Sequence, residues 1–269
     1  MQHIAVGATN SNDDSITSFT SWGPTDDGRI KPDVTAPGCQ SDDDGGVTST
    51  TPGGGYSSYC GTSMASPTVA GISALIIQDW RQQFPDRGEI RNSTLKALLA
   101  NSGDDLGNPG PDCMYGFGTV RARQAIDALR DDSVIENEVA DGEIAEHLVI
   151  VQPGDSELRI TLAWDDAPAS PLPVSALVND LDLIVTDPAG DRWFPWTIDP
   201  AVLLVAPRAL ETKLAVERVV AAEAALEAAK LPPGRAHDSN GRAVGGKSPA
   251  EPTPAATAAA AAVVGGSAG

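Results

Sequence analysis

The chain has 269 residues, a formal net charge of −19 and only 4% aromatic residues. Acidic side chains number 37 against 18 basic ones, and no Lys/Arg-rich run occurs, which excludes nucleic acid as a partner. The longest apolar run, residues 255–264, is about half the ~20 residues a helical membrane span needs, so no membrane partner is expected.

The N-terminal "MQHIAVGATN" has neither a basic leader nor a long apolar stretch, so it does not read as a signal peptide. Instead residues 4–8 read as a buried parallel strand ended by the polar cluster "TNSNDDS". A core strand this early implies that a segment upstream is missing. Residues 18–38 are loop-rich, because Pro24, Pro32 and Pro37 bar a helix. Residues 47–51 read as a brief strand. The strongest helix runs from Met64 to Trp80, with Val69, Ile72, Leu75, Ile76 and Trp80 at three- and four-residue steps. Pro67 is tolerated only in a first turn, which places the start at Ser63 or just after it. A second helix is expected over 93–101, capped by Ser93 or Asn92 and stopped by Gly103. Asn92-Ser93-Thr94 also matches a glycosylation acceptor, but capping is the preferred reading. "YGFGTVRARQAIDALR" reads as a Gly-rich strand approach followed by a surface helix to Arg130.

From residue 131 the period changes to two. Leu158, Ile160, Leu162 and Trp164 share one strand face and Arg159 and Thr161 the other; Leu181, Leu183 and Val185 alternate likewise. "DPAG" at 187–190 is a hairpin turn. Beyond residue 206 an Ala/Glu-rich stretch (209–230) has good helix propensity, and 232–269 is Pro/Ala/Gly low complexity expected to stay disordered. No internal repeat occurs.

The three cysteines, Cys39, Cys60 and Cys113, leave at least one without an intrachain partner. Cys39 and Cys60 bracket an Asp/Gly-rich loop and can be bridged; three unpaired small hydrophobes is the competing reading.

The candidate chemistry lies in "YCGTSMASPTVAG", where Ser63 stands at the start of a buried helix. Free N–H groups there, and the positive end of the helix dipole, would stabilise an oxyanion formed by attack of Ser63 on a carbonyl. Gly61 and Thr62 would let a substrate backbone come close. Taken alone, a G-T-S stretch is better read as a helix cap. Here, however, "GTSMASPTVAG" follows "IAVGAT" and "ITSFTSWGPTDDGRIKPDVTAPG" and precedes "YGFGTVRARQAI". In that order and spacing these segments resemble the subtilisin-like serine peptidases, the subtilases.

The resemblance implies an α/β fold: a partial subtilisin-like three-layer domain with a parallel sheet over 1–130. Residues 131–206 resemble part of an antiparallel β-sandwich, P-domain-like or jelly-roll-like, appended to some bacterial alkaline subtilases. An Ala-rich helix and low-complexity tail would occupy 207–269. The resemblance further implies a serine endopeptidase acting on polypeptide substrates outside the cell, with no cofactor for catalysis. Ser63 would be the nucleophile and a backbone oxyanion donor, and Gly61 and Thr62 would face substrate. The family's Asp, its His on a helix and its oxyanion Asn all precede the nucleophile, and no matching segment occurs in these 269 residues. The chain alone is therefore expected to be inactive; the alternative is a non-catalytic binding module on the same scaffold. An α/β-hydrolase order of Ser63, Asp112 and His147 fails because Ala65 stands where that elbow needs glycine. Calcium is a further expectation, with Asp165, Asp166, Asn179, Asp180 and Asp182 as candidate oxygen ligands. Asp42, Asp43 and Asp44 read as solvated turn carboxylates. Nothing in the sequence fixes an oligomeric state.

Overall fold

The computed structural model describes residues 3–26, 28–40, 45–151, 155–167, 177–196 and 258–268. Strands β1 (Val6–Asn10) and β2 (Val34–Cys39) pair in parallel, with Val6 opposite Val34 and Ala8 opposite Ala36. Strands covered on both faces carry small apolar residues without alternation, and Ala8, Val34 and Ala36 are all buried. The strand expected at 4–8 thus sits two residues later in the chain. The "GTV" of the Gly-rich approach joins the same layer. Thr35 N–H donates to Gly118 O, and Val120 N–H donates to Thr35 O, both at 2.9 Å. A hairpin of β3 (Val47–Thr51) and β4 (Gly55–Tyr59) follows, antiparallel and largely exposed. β3 lies where expected; β4, "GYSSY", carries no apolar alternation that would announce it.

Helix α1 (Thr62–Gln83) crosses this layer. Its buried residues Ala65, Val69, Ile76, Asp79 and Trp80 recur at helical spacing and form one inward face. Trp80 is fully buried, stacks obliquely on Phe84 at 4.9 Å and donates its indole N–H to Gly88 O at 2.9 Å. Leu75 departs from expectation: a position next to Ile76 is turned about 100° around the axis, and it is 55% exposed. Helix α2 (Asn92–Asn101) brings Leu98 and Leu99, and α3 (Ala122–Arg130) brings Ala125 and Leu129, into the same core. Neither Asn92 nor Ser93 caps α2. Arg91 occupies the cap position without a side-chain cap bond, and buried Ser93 donates to the Asp165 carboxylate at 3.1 Å. Arg130 at the end of α3 pairs with buried Asp79 of α1 at 2.7 Å.

The second region contains β5 (Val134–Val139), β6 (Asp155–Asp165) and a two-residue pair, β7 (Val185–Thr186) with β8 (Arg192–Trp193). The β7–β8 turn is the "DPAG" one. The Asp187 carboxylate accepts the N–H groups of Ala189 and Asp191, both at 2.9 Å. Those backbone bonds hold its carboxyl below the usual range. The longer strand expected around Leu181 and Leu183 is reduced to β7.

On β6 the face toward α2 is the one the alternation marks as polar. Asn101 of α2 donates to Thr161 and to Arg159 O at 3.1 Å, Arg159 donates back to Asn101 O and Gly103 O, and Ala163 is buried. Small Ala163 admits the helix, and the carbonyls ending α2 offer Arg159 acceptors that an apolar residue could not use. Leu158, Ile160, Leu162 and Trp164 are half-buried on the other face.

β9 (Ala258–Ala268) lies between β5 and β6, antiparallel to both. This differs from the disorder expected of the tail. Low complexity argues against side-chain burial, but a strand between two partners is satisfied through its backbone, which composition does not register. The helix expected over 209–230 lies outside the described residues.

Trp80→Ala removes the largest side chain of the core and is expected to cost about 3–5 kcal/mol. Leu75→Ala, five residues earlier and largely in solvent, should cost under about 1 kcal/mol. Urea titration followed by far-UV circular dichroism would compare the two, and equal losses would contradict this account of which face of α1 is buried.

Candidate active site

The site begins with a close approach. A Cβ placed on Gly38, in β2, would lie 2.7 Å from Ala8 Cβ, 2.8 Å from Gly61 O and 3.3 Å from Ala65 Cβ. Only glycine fits there, so β2 and the turn entering α1 lie in direct contact. Gly61 N–H donates to Gly38 O at 2.9 Å, and a Cys39–Cys60 disulfide (Cα–Cα 4.5 Å) lies beside that bond. The bridge expected from the bracketing cysteines is therefore formed, and Cys113 is a free, buried thiol.

Helix α1 starts at Thr62, which makes Ser63 its second residue, exposed at the N-terminal end. Met64 N–H closes the turn on Gly61 O at 2.9 Å. The first N–H groups of a helix have no intrahelical partner, and those of Thr62 and Ser63 find no backbone acceptor among the described residues. No acidic residue occupies this first turn. The result is an exposed hydroxyl next to free N–H donors at the positive end of a 22-residue helix. Chemically, that arrangement can present a nucleophile and receive the negative charge that forms on an attacked carbonyl. Gly61 and Thr62 are half-buried beside it.

None of the described groups is bonded to Ser63 as a base. His3 is exposed and precedes β1 rather than lying in a strand. It lines a groove of about 220 Å³ with Ile4, Val6, Ser66, Val69 and Lys96, along α1 but not over Ser63. His147 is exposed in the irregular stretch after β5, and His237 is outside the described residues. Asp112 is engaged in its own loop, accepting N–H bonds from Asn108, Met114 and Tyr115. Nothing among the described residues joins Ser63, Asp112 and His147.

Of the calcium candidates, only Asp166 and Asn179 meet, and they do so by hydrogen bonds from Asn179 to Asp166. Asp166 spends its oxygens on the N–H groups of Ala167, Val178 and Asn179 and on the Asn179 side chain, and Asp165 accepts from Ser93. Asp180 and Asp182 are exposed, and among the described residues no group of three or more His, Cys, Asp or Glu is placed to hold a metal. These residues as arranged do not fit a calcium ion.

A charge cluster at the other end of β2 has no local sequence signature. Asp33, at the entrance to β2, accepts from Lys31 at 2.5 Å, Lys96 of α2 at 2.7 Å and Ala5 N–H at 2.7 Å. Burial alone would raise the Asp33 carboxyl, but Lys96 and Lys31 outweigh it and hold the carboxyl below its usual range. Burial lowers Lys31. Lys96 lies a whole helix away in sequence, and no periodicity pairs it with Asp33.

An exposed serine on the first turn of a helix, packed on parallel strands, is an arrangement of the serine-hydrolase type. Residues 2–118 match the family model described as the Subtilase family. The chain is similar to serine protease AprX of Bacillus subtilis (strain 168), with 37% identity over 137 residues, 46% of this chain and 29% of that protein. It is also similar to alkaline elastase YaB of Bacillus sp. (strain YaB), with 37% identity over 122 residues, covering 45% of this chain and 26% of the relative. Among solved structures, a lanthipeptide protease matches at 30% identity and a TM-score of 0.39, covering 47% of this chain and 41% of that one. The chain thus spans less than a third of the length of those two relatives. No helix among the described residues is long and apolar enough to cross a membrane.

The charge cluster gives a pH test. Asp33 has a lowered folded pKa, so its stabilisation is complete above its unfolded value of about 4 and is lost as pH falls through the folded value. Asp33→Asn should therefore cost about 1–3 kcal/mol near pH 7, because two half-buried amines lose their counter-charge. The difference from wild type should shrink below about pH 4. Denaturation midpoints across that range measure it; a pH-independent difference would contradict the charge account.

Proposed function

We propose that Ser63 is the nucleophile of a subtilase-type serine endopeptidase. In this reading Ser63 Oγ attacks the carbonyl of a peptide bond and passes its proton to a base. An acyl-enzyme forms, the amine leaves, and water releases the acyl group. The Ser63 N–H donates to the oxyanion, while Gly61 and Thr62 leave room for the substrate backbone. The observation that supports this most directly is the exposed Ser63 hydroxyl on the first turn of α1, beside N–H groups without a backbone partner. A serine hydroxyl without a base is a weak nucleophile at neutral pH, and no described histidine is bonded to it. The 269-residue chain is accordingly idle by itself and acts only with Asp, His and Asn groups supplied by other sequence. The substrates are polypeptides. Calcium has no part in the acyl transfer, and an ion in the β6–β8 region would need ligands other than Asp166.

Hydrolysis of a fluorogenic peptide mixture tests the reading. The chain as given should show no turnover above background. A polypeptide extended upstream with subtilase sequence carrying the Asp, His and Asn segments should be active, and Ser63→Ala in it should lower kcat by about 10⁶. That size is the one known for subtilisin, a member of the matched family, rather than a consequence of this geometry. Activity of the extended polypeptide that survives Ser63→Ala would overturn the assignment.

A further inference from the structure

The turn that presents Ser63 is tied to the sheet at a place where little else holds it. The chain leaves β2 at Cys39, runs through the β3–β4 hairpin and returns at Cys60, three residues before Ser63. That hairpin contributes no residue to the buried core, and Tyr56 and Tyr59 stand largely in solvent. Elements with few buried contacts open locally at low cost. Two links bring the excursion back beside β2: the Gly61 N–H bond to Gly38 O and the Cys39–Cys60 bridge. The bridge is reachable, because Cys60 is exposed and Cys39 half-buried. The remaining cysteine, Cys113, is buried, free and 53 positions beyond Cys60 in the chain, so it is a poor competitor for exchange.

We propose that the Cys39–Cys60 disulfide is a redox-responsive clamp that positions the Ser63 turn, opened by dithiol reductants. A dithiol thiolate attacks the exposed Cys60 sulfur, and the Cys39 sulfur leaves and takes up a proton. The second sulfur of the reductant then displaces Cys60 from the mixed disulfide. Two electrons pass to the cysteine pair, both end as thiols, and the reductant ends as a cyclic disulfide. With the bridge gone, the excursion is closed only by the Gly61–Gly38 bond and by the packing of Ala65 at Gly38, so the hairpin and the Gly61 turn before Ser63 open more readily. The consequence for catalysis rests on Ser63 being the nucleophile; the clamp itself does not. Cys39 and Cys60 are positioning residues that act through Gly61 and the helix start.

The test is amide hydrogen exchange on the 269-residue chain, before and after dithiothreitol, with non-reducing peptide mapping of the starting material. Mapping should recover Cys39 and Cys60 in one linked species. Reduction should speed exchange about tenfold or more over the hairpin and at the bonded Gly61 and Met64 amides, and leave α2 and α3 unchanged. Reoxidation should reverse the change. The Cys39→Ser/Cys60→Ser variant should match the reduced protein and ignore dithiothreitol. Free thiols at both positions in the untreated chain, unchanged exchange on reduction, or a uniform rise that includes α2 and α3 would each overturn the proposal. None of these readouts depends on peptidase activity, so failure of the clamp is distinguishable from failure of the proposed function.

Discussion

The constraint on which the rest depends is the contact at Gly38. Because that position has no side chain, Gly38 of β2 packs directly against the Ala8 side chain of β1 and the Gly61 carbonyl of the turn before α1. Ala65 completes the contact from the helix side. Small residues are needed at Gly61 and Ala65, the positions at the start of α1 that meet Gly38. The same smallness opens the helix end to solvent. One steric requirement thus yields both a tight helix–sheet junction and an exposed serine beside free N–H groups. Any side chain at Gly38 would push the turn away and move Ser63 with it.

Electrostatics supports this arrangement in two places. The chain is strongly acidic overall, yet the first turn of α1 carries no acidic side chain, so the positive end of the helix is left uncompensated where an oxyanion would form. At the other end of β2, buried Asp33 pairs with half-buried Lys31 and Lys96 and pins α2 to the start of the strand. A buried carboxylate without those amines would be costly. With them, it fixes the lower end of the strand whose upper end meets Ser63.

Much of this was legible in the sequence. The 3.6-residue spacing gave away α1, and Pro67 located its start to within two residues. The "GTSMASP" stretch pointed to Ser63 only through its resemblance to a family motif, since alone it reads as a helix cap; the structure places that serine exposed on the first turn of α1. What stayed hidden has physical causes. Alternation did not show which face of β6 meets α2, because it reports apolarity, whereas Arg159 is held by carbonyls at the end of a helix and Ala163 is buried for its size. Leu75 was misassigned because a helix that is apolar on more than one face does not say which face is covered. β9 escaped because backbone pairing leaves no mark in composition. The Asp33 cluster escaped because its members meet only through the fold.

The central claim is that Ser63 is a nucleophile awaiting a base. Covalent labelling with a fluorophosphonate, read by mass spectrometry of the modified peptide, tests it most directly. The account predicts no adduct on the 269-residue chain and a single adduct at Ser63 once the upstream Asp, His and Asn segments are joined to it. An adduct on the chain as it stands, abolished by Ser63→Ala, would show a base already in place. An adduct on the extended polypeptide at any residue other than Ser63 would contradict the assignment itself.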